Sequence, residues 1–309
     1  MKHKVSVIGS GFVGTMTAQK VVEKGLADVV LVDIVNGLPQ GKALDISQAS
    51  SLEGFDCAIE GTNDFSDIRD SDIIVVTAGL PRTPGMTRED LAAKNGGIIR
   101  SVVEEIKTQA PAAIIIIVTN PLDVMAHLAW EVSGFPAARV MGMGGILDTA
   151  RYIYFLSQET GISARDIQAM VLGSHGDTMI PVESFTRVRG IPIRYFVGEE
   201  RLQAITERTK NGGAEIVSLL KTGSAWHAPA ASVTAMIEAI LQDRKTLVPV
   251  SACLNGEYGI EGIHIGVPVI LGSSGIERIC EVSLTDLELS ELKHSAEVAR
   301  TSFQGLKRL

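Results

Sequence analysis

The chain has few cysteines, no long hydrophobic run and no excess of positive charge. Three cysteines in 309 residues, with no C-x-x-C pair, predict neither a disulfide framework nor a cysteine zinc site. The longest apolar run, residues 112–118, is far shorter than the roughly 20 residues that cross a bilayer. A net charge of −8 removes the general attraction to phosphate on which nucleic-acid and anionic-membrane binding depend. We therefore expect neither partner.

Leader and low-complexity segments are also missing from the pattern. An apolar strand is predicted to begin by about residue 4, which leaves no room for a signal or transit peptide. Widely spaced cysteines fit a reducing compartment. The sequence therefore predicts a cytoplasmic protein that folds throughout its length.

The first half alternates short β-branched runs with longer helix-compatible stretches. Continuous apolar strands separated by helices are typical of a parallel sheet that is covered on both faces. The pattern predicts a Rossmann-type, doubly wound α/β domain over residues 1–145. Its expected strands are residues 4–9, 28–33, 72–79, 112–120 and 138–143.

The second half has a different texture, which predicts a mixed α+β domain with antiparallel sheet over residues 146–309. A capping box that begins at Thr285 opens the last predicted helix. The turn sequences "NGEYG" and "GSSG" separate three extended runs and indicate a meander. The expected elements are a helix at 147–160, two helices within 199–241, and extended segments at 167–172, 184–188, 246–254, 263–271 and 276–283.

A G-x-G-x-x-G pattern, Gly9, Gly11 and Gly14 in "IGSGFVG", follows the first predicted strand. Such glycines permit a tight turn, close backbone approach to a pyrophosphate and close packing of the next helix. Asp33 ends the second strand 24 residues after Gly9. A carboxylate there accepts hydrogen bonds from ribose hydroxyls and repels a 2′-phosphate, which favours NAD over NADP.

His175 differs from the other five histidines, because it lies between glycines in "LGSHGDTM" after a predicted strand. A histidine is the side chain best suited to proton transfer near neutral pH. Asp148 and Arg151, three residues apart in "ILDTARY", would share a helix face and could look into the same cavity. An exposed ion pair within one helix explains that spacing equally well.

Five motifs together carry a resemblance: "GSGFVG", "GLPRTPGMTREDL", "VTNPLD", "ILDTAR" and "GSHGD", spread in this order over residues 9–177. The chain resembles the lactate/malate dehydrogenase family, in the branch of bacterial and archaeal malate dehydrogenases that are built like lactate dehydrogenase. The resemblance implies reversible hydride transfer between NAD and a 2-hydroxy acid, here malate and oxaloacetate. It also implies a homo-oligomer, with a tetramer favoured over a dimer, and it requires no metal.

The resemblance assigns roles to the polar residues. His175 would be the general acid/base, with Asp148 on its other ring nitrogen and a raised pKa as the consequence. Arg151 would bind the C1 carboxylate, and Arg88 would polarise the reacting carbonyl. Arg82 would pair with the second carboxylate of malate, where lactate has a methyl group. The segment 80–91 would close over the substrate as a lid.

The expected cofactor contacts lie at the ends of the first four predicted strands and on one helix. The resemblance places Asn120 at both the nicotinamide and the substrate, with Val118 beside it. The complete expected set is Gly9, Ser10, Gly11, Phe12, Val13, Gly14, Asp33, Thr77, Ala78, Gly79, Asn95, Val118 and Asn120. Two alternatives stay open: a dehydrogenase of lactate or another 2-hydroxy acid, and a non-catalytic dinucleotide sensor.

Overall fold

The computed structural model describes residues 3–81 and 87–307, apart from the side chain of Arg88. Arg82 therefore lies outside the described residues. In the described part, residues 4–142 form a six-stranded parallel sheet with the spatial order β3-β2-β1-β4-β5-β6. This order confirms the Rossmann-type prediction. The strands are β1 (Lys4–Ile8), β2 (Asp28–Val32), β3 (Ile59–Thr62), β4 (Ile73–Val76), β5 (Ile114–Ile117) and β6 (Val140–Gly142).

Continuous burial explains why the central strands were readable in the sequence. Every residue of β4 and of β5 is buried, since helices cover both faces of the sheet. A buried Ile or Val contributes about 1.5–3 kcal/mol through the hydrophobic effect. The edge strand β3 has the polar sequence "IEGT" and was not predicted. The helices of this half are α1 (Phe12–Glu23), α2 (Leu38–Gln48), α3 (Ser50–Glu53), α4 (Arg88–Gln109) and α5 (Leu122–Ser133).

The second half begins with α6 (Gly144–Thr160), which follows β6 after one residue. Two helices and two long strands come later: α7 (Glu199–Leu220), α8 (His227–Leu241), β12 (Thr246–Asn255) and β13 (Glu261–Gly272). The chain closes with β14 (Gly275–Ile279) and α9 (Asp286–Lys307). The short strands are β7 (Ile167–Gln168), β8 (Val171–Leu172), β9 (Ile180–Pro181), β10 (Arg187–Val188) and β11 (Ile191–Pro192).

The predicted antiparallel meander is confirmed, and it continues the parallel sheet. β12, β13 and β14 pair in sequence, and β12 joins β6 through the pair Ser251 and Gly142. Within the described residues, nine strands therefore form one sheet in the order β14-β13-β12-β6-β5-β4-β1-β2-β3. This sheet brings the start of α5 next to β12, which positions part of the site described below.

Two predicted strands are shorter than expected, because side chains replace the backbone pairing. Residues 183–185 form a 3₁₀ turn, where the carboxylate of Glu288 accepts from the backbone N–H and hydroxyl of Ser184 at 3.2 and 2.8 Å. After β14, the hydroxyl of Tyr258 donates to the carbonyl of Cys280 at 2.8 Å and accepts from the N–H of Val282 at 3.0 Å. Among the helices of the described ranges, none has the length and apolar character that spanning a membrane requires.

Candidate active site

The predicted cofactor residues lie along one edge of the sheet. Gly9, Asp33, Thr77 and Val118 directly follow β1, β2, β4 and β5, which are neighbours in the order β5-β4-β1-β2. Ligands in doubly wound sheets bind outside the carboxyl ends of the strands, where the strand order reverses. Here the order reverses between β1 and β4, so the glycine loop lies at the reversal.

The three glycines of the loop have different physical reasons. Gly9 has φ +106°, and a Cβ there would lie 2.6 Å from Oγ1 of Thr77. A Cβ on Gly14 would collide with the carbonyl oxygen of Gly9, so the helix packs directly on the turn. Around Gly11, by contrast, no described heavy atom lies within 4 Å of a Cβ position. The loop is thus closed on the protein side and open on the side where a pyrophosphate would approach.

The start of α1 suits an anion. Gly11 is its N-cap, and the first turn, residues 12–15, has no acidic side chain. Helix N-termini present free backbone N–H groups and a positive dipole end. Lys42 adds a charge that sequence reasoning missed, since its ammonium donates to the carbonyl of Ser10. The residues present therefore fit a dinucleotide phosphate.

Asp33 is held by the same loop. Its Oδ2 accepts from the backbone N–H of Ser10 at 2.6 Å, and its Oδ1 accepts from the N–H of Val35 at 3.0 Å. Each oxygen keeps a further lone pair for a ribose hydroxyl. Phe12 is 64% exposed and stacks on Trp226 with ring centroids 4.9 Å apart. This contact joins the loop to the N-terminus of α8, and no local sequence pattern predicts it.

Asn95, expected at the cofactor, has backbone partners in the structure. The side chain is 1% exposed. It accepts from the N–H of Leu80 at 2.8 Å and donates to the carbonyl of Asn120 at 2.7 Å. These bonds tie the start of the 80–91 segment to the end of β5. The Asn120–Pro121 peptide is cis, Asn120 is exposed, and Val118 packs against the core.

His175 and Asp148 come together, as the sequence predicted. Nδ1 of His175 lies 2.8 Å from Oδ2 of Asp148, whose side chain is 2% exposed. The hydrogen bond directs the Nδ1 proton to the carboxylate and leaves Nε2 as the nitrogen that faces other groups. Because Gly173 pairs with Gly266 through two backbone hydrogen bonds, the loop that carries His175 is fixed at its start.

Two opposing effects act on the proton affinity of His175. Burial disfavours the imidazolium, and the charge and hydrogen bond of Asp148 favour it. The attraction prevails, so the pKa of His175 is raised above its ordinary value. This direction agrees with the raised pKa that the resemblance implied.

Arg151 lies beside this pair and is incompletely satisfied. Its NH1 is 3.5 Å from Oδ1 of Asp148, and its side chain is 13% exposed. Its buried Nε finds no hydrogen-bond partner among the described residues. An unpaired buried N–H costs about 1–3 kcal/mol, and more on a charged group. An exposed surface pair is excluded, because the Asp148 side chain is 2% exposed and that of Arg151 only 13%.

Space for this guanidinium comes from α7. A Cβ on Gly212 would lie 3.2 Å from Cδ of Arg151, and one on Gly213 would lie 3.7 Å from its NH2. Burial lowers the pKa of Arg151 and Asp148 opposes that effect. The side chain stays charged, since arginine is not deprotonated in proteins. The guanidinium of Arg151 is thus a largely buried cation whose Nε has no hydrogen-bond partner among the described residues.

Arg88 is the first residue of α4, which confirms that "TREDL" begins a helix. Thr87 and Asp90 form the capping box, with hydrogen bonds of 3.1 and 3.0 Å. The side chain of Arg88 and the whole of Arg82 lie outside the description. Their roles stay predictions.

A second group consists of the buried His127 and His264 with the half-buried Cys253, and their ligating atoms lie within 4.8 Å of one another. The Nδ1 atoms of the two histidines are 3.1 Å apart, and Nε2 of His264 is 3.2 Å from the carbonyl of Val140. Because the two rings already bond to one another and to the backbone, we assign this group to the core.

Comparison with known proteins agrees with this geometry. Residues 3–142 match the lactate/malate dehydrogenase NAD-binding domain, and residues 146–306 match the α/β C-terminal domain of the same family. The chain belongs to the lactate/malate dehydrogenase family.

Three relatives illustrate the similarity. The malate dehydrogenase of Roseiflexus sp. (strain RS-1) is 53% identical over 307 residues, 99% of each chain. The Cryptosporidium parvum malate dehydrogenase structure has a TM-score of 0.98 and 42% identity, with 100% of both chains covered. A lactate dehydrogenase of the same organism, complexed with lactic acid and nicotinamide adenine dinucleotide, has a TM-score of 0.97 and 41% identity, covering 100% of this chain and 99% of that chain. The fold alone therefore does not separate the two substrates.

Proposed function

We propose that this protein is an NAD-dependent malate dehydrogenase, which transfers hydride reversibly between (S)-malate and NAD⁺. The observation that carries the proposal is the buried His175–Asp148 pair, 2.8 Å apart, beside the incompletely paired guanidinium of Arg151. A proton donor and a cation for a carboxylate thus lie together. Relatives that are named malate dehydrogenase and match nearly the full length support the assignment.

His175 is the general acid in reduction and the general base in oxidation. With Nδ1 bonded to Asp148, the proton on Nε2 passes to the carbonyl oxygen of oxaloacetate as hydride reaches its carbon. In the reverse direction, neutral Nε2 takes the hydroxyl proton of malate. Asp148 keeps the ring in one tautomer and stabilises the imidazolium. The nicotinamide, when bound, supplies or accepts the hydride.

The arginines bind and polarise the substrate. Arg151 forms a bidentate contact with the C1 carboxylate, which satisfies the N–H groups that burial leaves without an anion. Arg88, at the N-terminus of α4, stabilises the negative charge that develops on the carbonyl oxygen. Asn120, which follows β5, orients the same carbonyl oxygen of the substrate.

Arg82 selects malate over lactate. Oxaloacetate carries a second carboxylate where pyruvate carries a methyl group, and a guanidinium pairs with that charge. A desolvated arginine over a methyl group would be left unpaired, which disfavours pyruvate. The main alternative, a lactate dehydrogenase, has the same fold, so this one position carries the distinction from within the sequence.

The cofactor site favours NAD. The glycine loop, the start of α1 and Lys42 together hold the pyrophosphate, and the oxygens of Asp33 accept from the ribose hydroxyls. A 2′-phosphate would meet the Asp33 carboxylate and be repelled. The remaining contacts are the backbone around Thr77, Ala78 and Gly79, with Val118 at the nicotinamide end.

Three further expectations belong to this proposal. The domain boundary is near residue 145, between β6 and the body of α6. The protein assembles as a homo-oligomer, with a tetramer favoured over a dimer. Its location is the cytoplasm.

The experiment is NADH oxidation, followed by absorbance, with oxaloacetate and pyruvate side by side and with NADPH as a second cofactor. We expect kcat/KM for oxaloacetate to exceed that for pyruvate by at least about 100-fold, because the second carboxylate pairs with Arg82. NADPH should support a small fraction of the rate. Equal or better use of pyruvate would contradict the substrate assignment, and no turnover of either would favour the sensor alternative.

Arg82→Gln sharpens this test. The variant should lower kcat/KM for oxaloacetate by about 100-fold and raise the relative use of pyruvate. Arg165→Gln is the matched control, since it removes the same charge from an exposed arginine. Unchanged selectivity in Arg82→Gln would show that Arg82 does not read the second carboxylate.

A further inference from the structure

Asp123 is a buried carboxylate that the mechanism above does not use. It is the second residue of α5 and is 2% exposed. Its Oδ2 accepts from the hydroxyl of Ser174 at 2.7 Å and from the backbone N–H of His175 at 2.8 Å. Its Oδ1 accepts from the hydroxyl of Ser251, on β12, at 2.6 Å. One side chain therefore joins α5, the His175 loop and the antiparallel part of the sheet.

The contacts bear on the catalytic loop directly. The N–H that Asp123 binds belongs to His175 itself, so the carboxylate fixes the main chain from which the imidazole projects. The backbone N–H of the preceding residue, Ser174, donates to Oγ of Ser295 at 2.8 Å. The loop is thus held from α5 and from α9, while Asp148 on α6 holds the ring.

The charge of Asp123 has a second consequence. If Asp123 served only to accept these hydrogen bonds, a neutral amide side chain could do so without the large desolvation cost of a carboxylate in the core. A buried anion does favour a nearby cation, and the imidazolium of His175 is such a cation. Burial outweighs the other effects and raises the pKa of Asp123 above its ordinary value, while the donors Ser174 and Ser251, the His175 N–H and the charge of His175 favour its ionised form.

We propose that Asp123 is a positioning residue for proton transfer: it fixes the main chain at His175 and, as a second buried anion behind the ring, favours the protonated imidazole. The inference rests on the acid/base role proposed for His175. Among the described residues, the charged groups that face His175 are Asp148 and Arg151 from α6 and Asp123 from α5. Asp123 and Asp148 raise the pKa of His175, and Arg151 lowers it.

The test is Asp123→Asn, which keeps the size of the side chain and removes its charge. We expect kcat for oxaloacetate reduction to fall by about 10- to 100-fold through misplacement of the ring. The alkaline limb of the pH profile, where His175 loses its proton, should move by about half a unit or more toward lower pH. The dissociation constant for NADH should stay unchanged, since the hydrogen-bond partners of Asp123, namely Ser174, His175 and Ser251, are not among the expected cofactor contacts.

Glu288→Gln is the matched control. Glu288 is also a buried carboxylate that accepts from a serine hydroxyl and a backbone N–H, here both of Ser184, and its hydrogen-bond partners in the described part of the chain are Ser184 and Thr285, outside the His175 loop. It should lose stability without a change in kcat or in the pH profile. If Asp123→Asn behaves in the same way, Asp123 is structural and the inference is wrong.

Ser174→Ala separates position from charge and serves also if Asp123→Asn does not fold. It removes one donor and keeps the anion, so we expect about a threefold loss of kcat with the pH profile unmoved. Unchanged kcat in this variant would contradict the positioning role. Inactive wild-type protein would refute the proposed function instead, and NMR titration of His175 in wild type and Asp123→Asn would still test the charge effect.

Discussion

Two places in this molecule hold buried histidines, and the two have opposite proton affinities. His175 bonds to the carboxylate of Asp148, and its pKa is raised. His127 and His264 bond to one another, and burial lowers their pKa values to about 4 and about 3. Both sites are largely removed from water, so burial alone does not decide whether a histidine is charged. The position of the carboxylate decides: that of Asp148 lies 2.8 Å from Nδ1 of His175 and outweighs burial, whereas that of Glu131 lies 3.8 Å from Nε2 of His127 and does not.

The comparison also distinguishes a catalytic group from a core group. Around His127 the packing is largely aromatic, with the ring of Phe303 at 4.5 Å and that of Trp130 at 5.3 Å between centroids, and its carboxylate neighbour Glu131 lies 3.8 Å from Nε2. Around His175, the neighbours are charged, and Nε of Arg151 lacks a partner among the described residues. Polar groups left incomplete in a buried place indicate a ligand site, whereas apolar packing indicates a core.

The largest expected effect comes from removing the acid/base group itself. His175→Asn should reduce kcat by about 1,000-fold or more in both directions, because no other described side chain is placed to exchange the proton. His294→Asn, on the exposed surface of α9, is the control and should be fully active. Steady-state kinetics at neutral pH measures both. Substantial activity in His175→Asn would show that His175 is not the general acid/base.

A smaller effect should follow when the carboxylate partner is neutralised. Reduction of oxaloacetate needs protonated His175, so its rate is full below the raised pKa and is lost as pH rises through it. Asp148→Asn removes the main attraction for the proton. His175 would then be, like His127, a largely buried imidazole with no carboxylate bonded to it. We expect about a 100-fold loss of kcat at pH near 7 and a limb moved toward lower pH. An unmoved limb in the pH profile of kcat/KM would contradict this account.

The smallest effect concerns stability at the His127–His264 pair. Below a pH of about 6.5 the unfolded histidines take up protons and the folded ones do not, until about pH 4 and about pH 3. The free energy of unfolding should therefore fall with decreasing pH, by up to about 1.4 kcal/mol per pH unit for each histidine. Urea unfolding at several pH values measures this slope.

A double variant checks the origin of that slope. His127→Leu with His264→Leu replaces both partners by apolar groups, which is often nearly neutral at pH 7 when shape is kept. It should flatten the pH dependence and leave catalysis unaffected. An equally steep slope in the double variant would place the responsible groups elsewhere.

Much of this organisation could be predicted from the sequence, because it depends on local patterns. The strands β4 and β5 are continuous apolar runs, β1 and β2 are apolar apart from Lys4, Ser6 and Asp28, and the glycine loop and Asp33 keep a fixed spacing. The capping boxes that begin at Thr87 and Thr285 predict the starts of two helices. His175, Asp148 and Arg151 were identified through motifs, and the structure brings all three together.

The remainder depends on contacts between distant segments, which have no local pattern. Asp123 meets Ser251 across 128 positions of the chain. The stacking of Phe12 on Trp226 and the hydrogen bond from the Lys42 ammonium to the carbonyl of Ser10 also join distant segments. The hydrogen bonds of Asn95 to the backbone of Leu80 and Asn120 also join segments that no local pattern connects. The pairing of β12 with β6 rests on one residue pair, which no periodicity reveals.

The most direct test of the central claim is a titration of the histidine side chains by NMR, with His175→Asn and the double leucine variant used to assign the signals. The account predicts that His175 titrates above its ordinary pKa of about 6.5, while His127 and His264 stay neutral down to about pH 4. Titration of His175 below about 6.5, or protonation of the His127–His264 pair near neutral pH, would contradict the claim that the partner sets the charge.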